Sequence, residues 1–384
     1  MKILYLAFID LAEESADTVH PFEICENLAK FGHEIVMFTP SYKTRNLPNI
    51  RVIRTGMFKI PLLKGLFHHL VLLPLLFVFC LKEKADLIYS RYHPLEILAT
   101  YPVKKLFKIK YILEVNGAMK EELKIRHEPK WKIKIYSILE RKLFELADKI
   151  VTVTENLRDY LVKEYSLSTV KIKVIPNGTN VEIFHPMDKK ICRERLGISL
   201  QSIVLCFVGS LRPWHGVENT IKIMPALIKR IHDIKLFIVG DGPLINILKQ
   251  QVKSLYLNER VIFTGKVERR KVPLYINSAD ICLAPFNIER NIVTGLSPIK
   301  IFDYMACGKP IITTDVGGLK EFAEKYNIGL VVSPGNVEKL IEAVLVLINN
   351  KKLQKELGKN GRESAKENFS WSKVAKKVEK VCLS

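Results

Sequence analysis

Three glycine-bearing segments in the second half of the sequence carry residue types suited to holding a phosphate-bearing ligand. The first, VGSLRPWHGVENTIKI (Val208 to Ile223), ends an apolar run at Val208, turns through Gly209 and Gly216, and enters a helical pattern near Val217. Backbone N–H groups at a helix start attract anions, and glycines let the ligand come close to the backbone. Arg212 and His215 add cationic donors beside Ser210, and a planar guanidinium suits a diphosphate. A purely structural turn has the same glycine spacing, so this segment does not decide the matter alone.

The second segment, IVGDGP, sets Gly240 and Gly242 around Asp241, with Pro243 suited to the first turn of a helix. A tight turn with an N-cap aspartate accounts for it fully. The ligand-binding reading is that both glycines keep side chains out of a nucleotide cleft. The third segment runs from Thr294 to Gly318, TGLSPIKIFDYMACGKPIITTDVGG. Its loop through Gly295, Leu296, Ser297 and Pro298 enters a helix near Ile299, so its amides can again point at phosphate. Lys300 in the first helical turn opposes the helix dipole, a mild cost that makes sense beside a bound anion. Asp303, one turn later on the same face, is placed to accept hydrogen bonds from ribose hydroxyls. A surface Lys–Asp pair is the other reading of these two residues.

These segments need elements to hold them, and the hydrophobic pattern supplies short strand-like runs alternating with helical stretches. The first half offers KILYLAF, HEIVMFT, IRVIR, ADLIYSR, KYILEVN, DKIVTVT and KIKVIP; the second offers SIVLCFVG, IKLFIVG, RVIFTG, DICLAPF, KPIITT and GLVVS. Runs this apolar, joined by helices, predict α/β architecture with parallel sheets covered on both faces. Two doubly wound halves follow one another, joined in the turn-rich stretch between Asn177 and Leu200. Sites in such sheets lie beyond the strands' carboxyl ends, which predicts a cleft between the two halves.

Composition narrows the function classes. With 48% hydrophobic residues and no low-complexity tract, the 384-residue chain is globular and suits two domains. The seven cysteines are odd in number, scattered and mostly inside apolar runs, which favours a reducing compartment and offers no metal framework. Met1-Lys2 followed at once by ILYLAF reads as a first strand and not a signal peptide. The apolar run LFHHLVLLPLLFVFCL is interrupted by Pro74, and predicts a buried or membrane-grazing helix in place of a span. A formal charge of +20 predicts attraction to polyanions: nucleic acid, nucleotide phosphates or an anionic membrane.

In order and spacing, the three segments, with PNGTNVEIFHP before them and FTGKVERRKVPLYINSADICLAPF between them, resemble the family 4 retaining glycosyltransferases. The resemblance covers nearly the whole chain, including ADTVHPFEICENLAKFGHEI and the terminal NFSWSKVAKKVEKV. It implies a GT-B fold, two Rossmann-like domains facing each other across a cleft: an acceptor domain over 1–185, a nucleotide-sugar domain over 186–365, and a helix over 366–384 that packs back on the first domain. It also implies transfer of a sugar from a nucleoside diphosphate sugar to an acceptor hydroxyl with retention, by a front-side route without an enzyme nucleophile. No cofactor beyond that donor substrate and no divalent metal are expected, because cationic side chains meet the phosphate charge and no Asp-x-Asp motif occurs.

Carried over by position, the resemblance assigns Gly209, Ser210, Arg212, His215 and Gly216 to the donor's sugar and phosphates. Many relatives have an arginine and a lysine five residues apart in this turn; Ser210 and His215 hold those places here. Arg212 is therefore expected to carry the main diphosphate charge, with His215 assisting. Of two glutamates common in the third segment, the second matches Asp303 and the first falls on Gly295. This S-P-x-K variant assigns the missing sugar contact to Ser297 and Lys300, with Leu296, Pro298 and Ile299 completing the donor loop beside Gly240, Asp241 and Gly242. Backbone near Val267 is assigned to the base. In the first domain Asn116 stands where many relatives have a histidine, with Glu114 beside it, and His20 matches a histidine common in the family; all three are candidates for contact with sugar or acceptor, and a helix-start residue without a chemical role is the alternative for His20.

KIRHEPKWKIKIYSILERK (Lys124 to Lys142) has seven Lys/Arg against two Glu, with Trp131 and Tyr136 among aliphatics. That pattern predicts an interfacial helix, and with it a lipid-linked or cell-envelope glycan acceptor and a cytoplasmic protein held peripherally at the inner membrane face; a solvated basic flank is the alternative. A sugar-nucleotide epimerase of the same fold is the rival enzyme. A basic nucleic-acid-binding protein is disfavoured because no helix-turn-helix or zinc finger appears and the charge is dispersed, so nucleic acid is not an expected partner. A dinucleotide oxidoreductase is disfavoured because no G-x-G-x-x-G follows the first strand.

Overall fold

The computed structural model describes residues 1–11, 16–41, 49–56, 61–288 and 291–384, and they fall into two compact units. Unit 1 comprises Met1–Pro176 together with Trp371–Ser384, and unit 2 comprises Asn177–Ser370.

Unit 1 is built on seven parallel strands: β1 (Lys2–Ala7), β2 (Glu34–Thr39), β3 (Ile50–Arg54), β4 (Leu87–Arg91), β5 (Lys110–Val115), β6 (Lys149–Thr152) and β7 (Ile172–Val174). Their order is β3-β2-β1-β4-β5-β6-β7, so the winding reverses at β1, which pairs with both β2 and β4. Each strand coincides with one apolar run read from the sequence. Helix Pro61–Lys82 continues through Pro74 and is not broken there. A proline leaves one carbonyl four residues back without its amide; here that carbonyl belongs to Leu70, on the exposed face of the helix, while Leu72, Leu76 and Phe79 pack in the core.

Unit 2 repeats the scheme with six parallel strands: β8 (Ile203–Val208), β9 (Ile234–Val239), β10 (Val261–Gly265), β11 (Ile281–Ala284), β12 (Ile311–Thr314) and β13 (Gly329–Val332). The order β10-β9-β8-β11-β12-β13 reverses at β8. Alternate residues of β8 feed two cores, Val204 and Cys206 on one face and Leu205 and Phe207 on the other, as a sheet covered on both sides requires.

The division falls earlier than residue 185, at Pro176/Asn177, because the stretch after it is tied into unit 2. Asn177 donates from its backbone and side-chain nitrogens to Ser297, and Arg362 donates to the carbonyl of buried Phe184. The returning segment begins at Trp371 and not at residue 366, since helix Lys351–Asn368 stays with unit 2 and Ser370 still bridges to Thr179. Helix Trp371–Leu383 belongs to unit 1: His33 meets Glu379 at 2.9 Å, and Lys110 Nζ donates to the Cys382 carbonyl at 2.9 Å.

Candidate active site

In unit 2 the predicted donor residues converge because its strands are parallel. Segments 209–216, 240–242, 267 and 295–303 follow β8, β9, β10 and β11, so all lie at the sheet's carboxyl edge, and two of them flank the reversal at β8. That edge is where open α/β sheets bind ligands.

The first and second segments interlock through backbone. Gly209 N donates to the Val239 carbonyl at 2.9 Å, and Leu211 N donates to that of Asp241 at 3.0 Å. A Cβ on Gly240 would collide with the Gly209 carbonyl oxygen, and one on Gly242 would sit 2.6 Å from Leu211 N. Loop-on-loop packing therefore requires both glycines. Asp241 is exposed and its carboxylate accepts from Gly242 N at 2.7 Å, a turn-forming role.

Lys300 joins the first segment to the third. Helix Ile299–Ala306 starts at Pro298 without a side-chain cap, and Lys300 in its first turn is buried, not paired with Asp303 on the surface. Its Nζ lies 4.1 Å from the Phe207 ring centroid and 5.1 Å from that of Phe286, with no hydrogen-bond partner among the described residues. A Cβ on Gly209 would stand 2.7 Å from that nitrogen. Burial lowers the Lys300 pKa to about 7, because a charged ammonium loses its hydration there.

Asp303 points elsewhere. Arg269 meets its two oxygens at 3.2 Å each, and Thr179 Oγ1 donates at 2.7 Å. Burial raises the Asp303 carboxyl, with Arg269 and Thr179 opposing. The carboxylate assigned to ribose is thus already engaged by residues that sequence reading missed. VERRKV marked Arg269 only as one of a basic run, and Arg269 is also fixed over the Phe184 ring at 4.5 Å.

Arg212 is exposed and stacks over Trp214 at 5.3 Å. His215 Nδ1 donates to the Ser210 carbonyl at 2.6 Å and lies near the Ser210 hydroxyl at 3.4 Å, which orients the ring; Gly216 then starts helix Val217–Lys222. Ser297 Oγ accepts from Asn177 N at 2.9 Å, and half-buried Leu296 donates to the Gly317 carbonyl. Half-buried Val267 follows β10 at the same edge. Ser297→Ala is expected to lower the melting temperature by roughly 2–4 °C by leaving one amide unpaired; an unchanged value in a thermal melt would mean the Asn177 amide finds another acceptor.

In unit 1 the three candidates meet beside β5. Glu114 accepts from Asn116 Nδ2 at 2.6 Å and Tyr89 Oη at 2.7 Å, and His20 Nε2 lies 2.9 Å from its Oε1. Burial alone would raise this carboxyl, but His20, Arg91 and Asn116 outweigh it and hold the pKa at about 2. Glu114 is thus an ionised, buried carboxylate held by His20, Tyr89 and Asn116. Asn116 Oδ1 has no hydrogen-bond partner among the described residues. The indole of Trp371, from the returning helix, meets the His20 ring edge-on at 5.2 Å.

The same unit holds a second imidazole group that the sequence did not single out. His68 and His69, on the inward face of helix Pro61–Lys82, meet His93 after β4, with His69 Nε2 3.0 Å from His93 Nδ1. Burial lowers all three, His93 to about 4 and His68 to about 3.

Residues 18–183 match the family described as Glycosyltransferase Family 4, and residues 188–364 match Glycosyl transferases group 1. The uncharacterised glycosyltransferase MJ1178 of Methanocaldococcus jannaschii is 30% identical over 304 residues, 78% of this chain and 75% of that protein. The chain is a family 4 glycosyltransferase. Solved structures carry the same GT-B fold. A sucrose-phosphate synthase from Thermosynechococcus elongatus superposes on the glycosyltransferase with a TM-score of 0.83 at 21% identity, covering 99% of this chain and 98% of that one. Anabaena HepE, solved in complex with UDP-glucose, does so with a TM-score of 0.76 at 16% identity, covering 99% of each chain.

Proposed function

We propose that this glycosyltransferase moves a sugar from a nucleoside diphosphate sugar to an acceptor hydroxyl with retention, using the carboxyl edge of the second sheet for the donor. The observation that carries the reading is Lys300 Nζ, a buried ammonium without a hydrogen-bond partner among the described residues, directly under Gly209. Burying an unpaired cation is costly, and an anionic ligand at that turn offsets the cost. Lys300 and Arg212 meet the diphosphate, His215 and Ser210 assist, and the amides of Gly209, Gly216 and the Leu296–Ile299 loop supply uncharged donors. Fixed positive charge stabilises the departing diphosphate as the glycosidic bond breaks, and the acceptor hydroxyl passes its proton to the leaving phosphate oxygen. A ribose hydroxyl would have to share Asp303 with Arg269. Asn116, with its open Oδ1, is the acceptor-side group, and His20 and Glu114 hold it in place.

The acceptor is assigned to lipid-linked or cell-envelope glycans, with the enzyme peripheral at the cytoplasmic membrane face. Helix Lys130–Leu146 supports this, since Trp131, Ile135 and Ile138 are exposed on it beside exposed Lys134, Arg141 and Lys142.

A thermal-shift screen of UDP-, GDP- and other nucleotide sugars, with and without EDTA, tests the donor reading. One donor at 100 times its Kd should stabilise unit 2 by roughly 2.7 kcal/mol, equally in EDTA. The reading is lost if no nucleotide sugar shifts the melt, and the metal-free part is lost if the shift needs a divalent ion.

A further inference from the structure

We infer that Arg269 contacts the donor's nucleoside, forming with Asp303 a site for a ribose diol that discriminates against deoxynucleoside diphosphate sugars. The inference rests on the donor reading and narrows it to ribonucleoside diphosphate sugars.

The Arg269–Asp303 pair is not saturated. Asp303 Oδ1 accepts from Thr179 Oγ1 at 2.7 Å and from Arg269 Nη2 at 3.2 Å. Oδ2 accepts only from Arg269 Nη1 among the described residues, also at 3.2 Å. A carboxylate offers about four acceptor positions, so one remains on Oδ2. A guanidinium has five N–H donors, and Arg269 spends two of them on Asp303. Its Nε has no hydrogen-bond partner among the described residues, and its side chain is 23% exposed. The guanidinium is held in this pose by the ring of fully buried Phe184, 4.5 Å away.

An open acceptor beside unspent donors selects one kind of group. The ion pair carries no net charge, so it favours neither a phosphate nor an ammonium. A hydroxyl both donates and accepts. On a vicinal diol, one hydroxyl donates to Oδ2 while its neighbour accepts from the guanidinium.

Position assigns the diol to ribose. Lys300, which meets the diphosphate in the donor reading, and Asp303 are one turn apart on helix Ile299–Ala306. Their Cβ atoms therefore stand about 5–6 Å apart, the reach from a phosphate to the ribose joined to it and short of the base. Arg269 approaches from the other end of the row. It follows β10, whereas the Asp303 helix comes after β11, with β9 and β8 between those strands.

The test compares UDP with 2′-deoxy-UDP, and GDP with 2′-deoxy-GDP, by calorimetric titration of wild type and Arg269→Gln. For a base that binds, wild type should prefer the ribonucleotide by roughly tenfold or more, because the deoxy analogue leaves a charged group unpaired. In Arg269→Gln the ratio should fall to about twofold at most, a change that a purely structural role for Arg269 does not produce. Arg269→Lys keeps a cation beside Asp303 and carries the same comparison if the glutamine variant does not fold. Its single nitrogen, drawn to the carboxylate, cannot also span the diol, so its ratio should fall as well. A thermal shift with inorganic diphosphate, retained in either variant, certifies folding and the phosphate site. Equal binding of ribo- and deoxynucleotide by wild type overturns the inference, as does a full wild-type ratio in a folded variant. A variant that changes the preference between UDP and GDP at an unchanged ribose ratio also overturns it, by assigning Arg269 to the base. If no nucleotide binds wild type at all, the donor reading falls and this inference with it.

Discussion

Replacing Lys300 with methionine is expected to lower turnover by roughly 100-fold or more while raising the melting temperature of the unliganded enzyme. The first effect follows from removing a cation held under Gly209 that has no hydrogen-bond partner among the described residues. The second follows from its desolvation. The Lys300 pKa falls from 10.5 to about 7 on folding, so between those values the unfolded chain binds more protons than the folded one. Stability therefore rises with pH across that window, and the burial penalty is fully present below about pH 7. The stabilisation by methionine should be largest there and shrink as pH rises.

Donor binding should show the complementary trend. An anion favours the charged ammonium, so the Kd for the nucleotide sugar should weaken by up to about tenfold per pH unit above about pH 7 in wild type. The methionine variant should lose that dependence. Calorimetric titration of both proteins across pH 6–9 (about one proton exchanged at most) checks the prediction. A variant with near-normal turnover, or a flat wild-type profile, would remove Lys300 from the phosphate site.

Arg212→Ala is expected to reduce turnover by roughly 100-fold with no change in melting temperature. The residue is exposed and its guanidinium rests on the face of Trp214, so little packing is lost. Arg212→Lys should recover only part of the rate, because an ammonium cannot present the planar fork that spans two phosphate oxygens. Steady-state rates with the donor found by thermal shift decide this, and a folded alanine variant of normal turnover would exclude Arg212 from the mechanism. The contrast between the two cations is informative. One is buried and costs stability; the other is exposed and costs none.

The elements themselves were plain in the sequence. Runs such as IVLCFVG and IKLFIVG are short, apolar on both faces and bounded by glycine, and they became adjacent strands of one sheet. The grouping of Gly209, Lys300 and Ser297 at one edge followed from parallel strands whose loops share an end. What could not be read was the choice of partners between distant segments. Asp303 and Lys300 are three residues apart on one helix, yet Asp303 turned to Thr179 and Arg269, 124 and 34 residues away. Nothing local distinguishes that outcome from a surface ion pair. The helix expected over the apolar run around Pro74 did form, as Pro61–Lys82, with Leu72, Leu76 and Phe79 on its buried face. The glycines at 240 and 242 were recognised as special, but their close approach to the Gly209–Leu211 backbone, some 30 residues away in the chain, had no local signal.

Helix Trp371–Leu383 completes unit 1 after all of unit 2 has intervened in the chain. The Lys110–Cys382 bond closes a separation of 272 residues, and Trp371 covers His20 from the same helix. During synthesis the ribosome therefore delivers unit 2 as an uninterrupted segment, free to fold on its own schedule, while unit 1 waits with one flank uncovered. The half that bears His20, Glu114 and Asn116 is thus the last to be completed, and until then the surface that helix Trp371–Leu383 covers stays open to solvent.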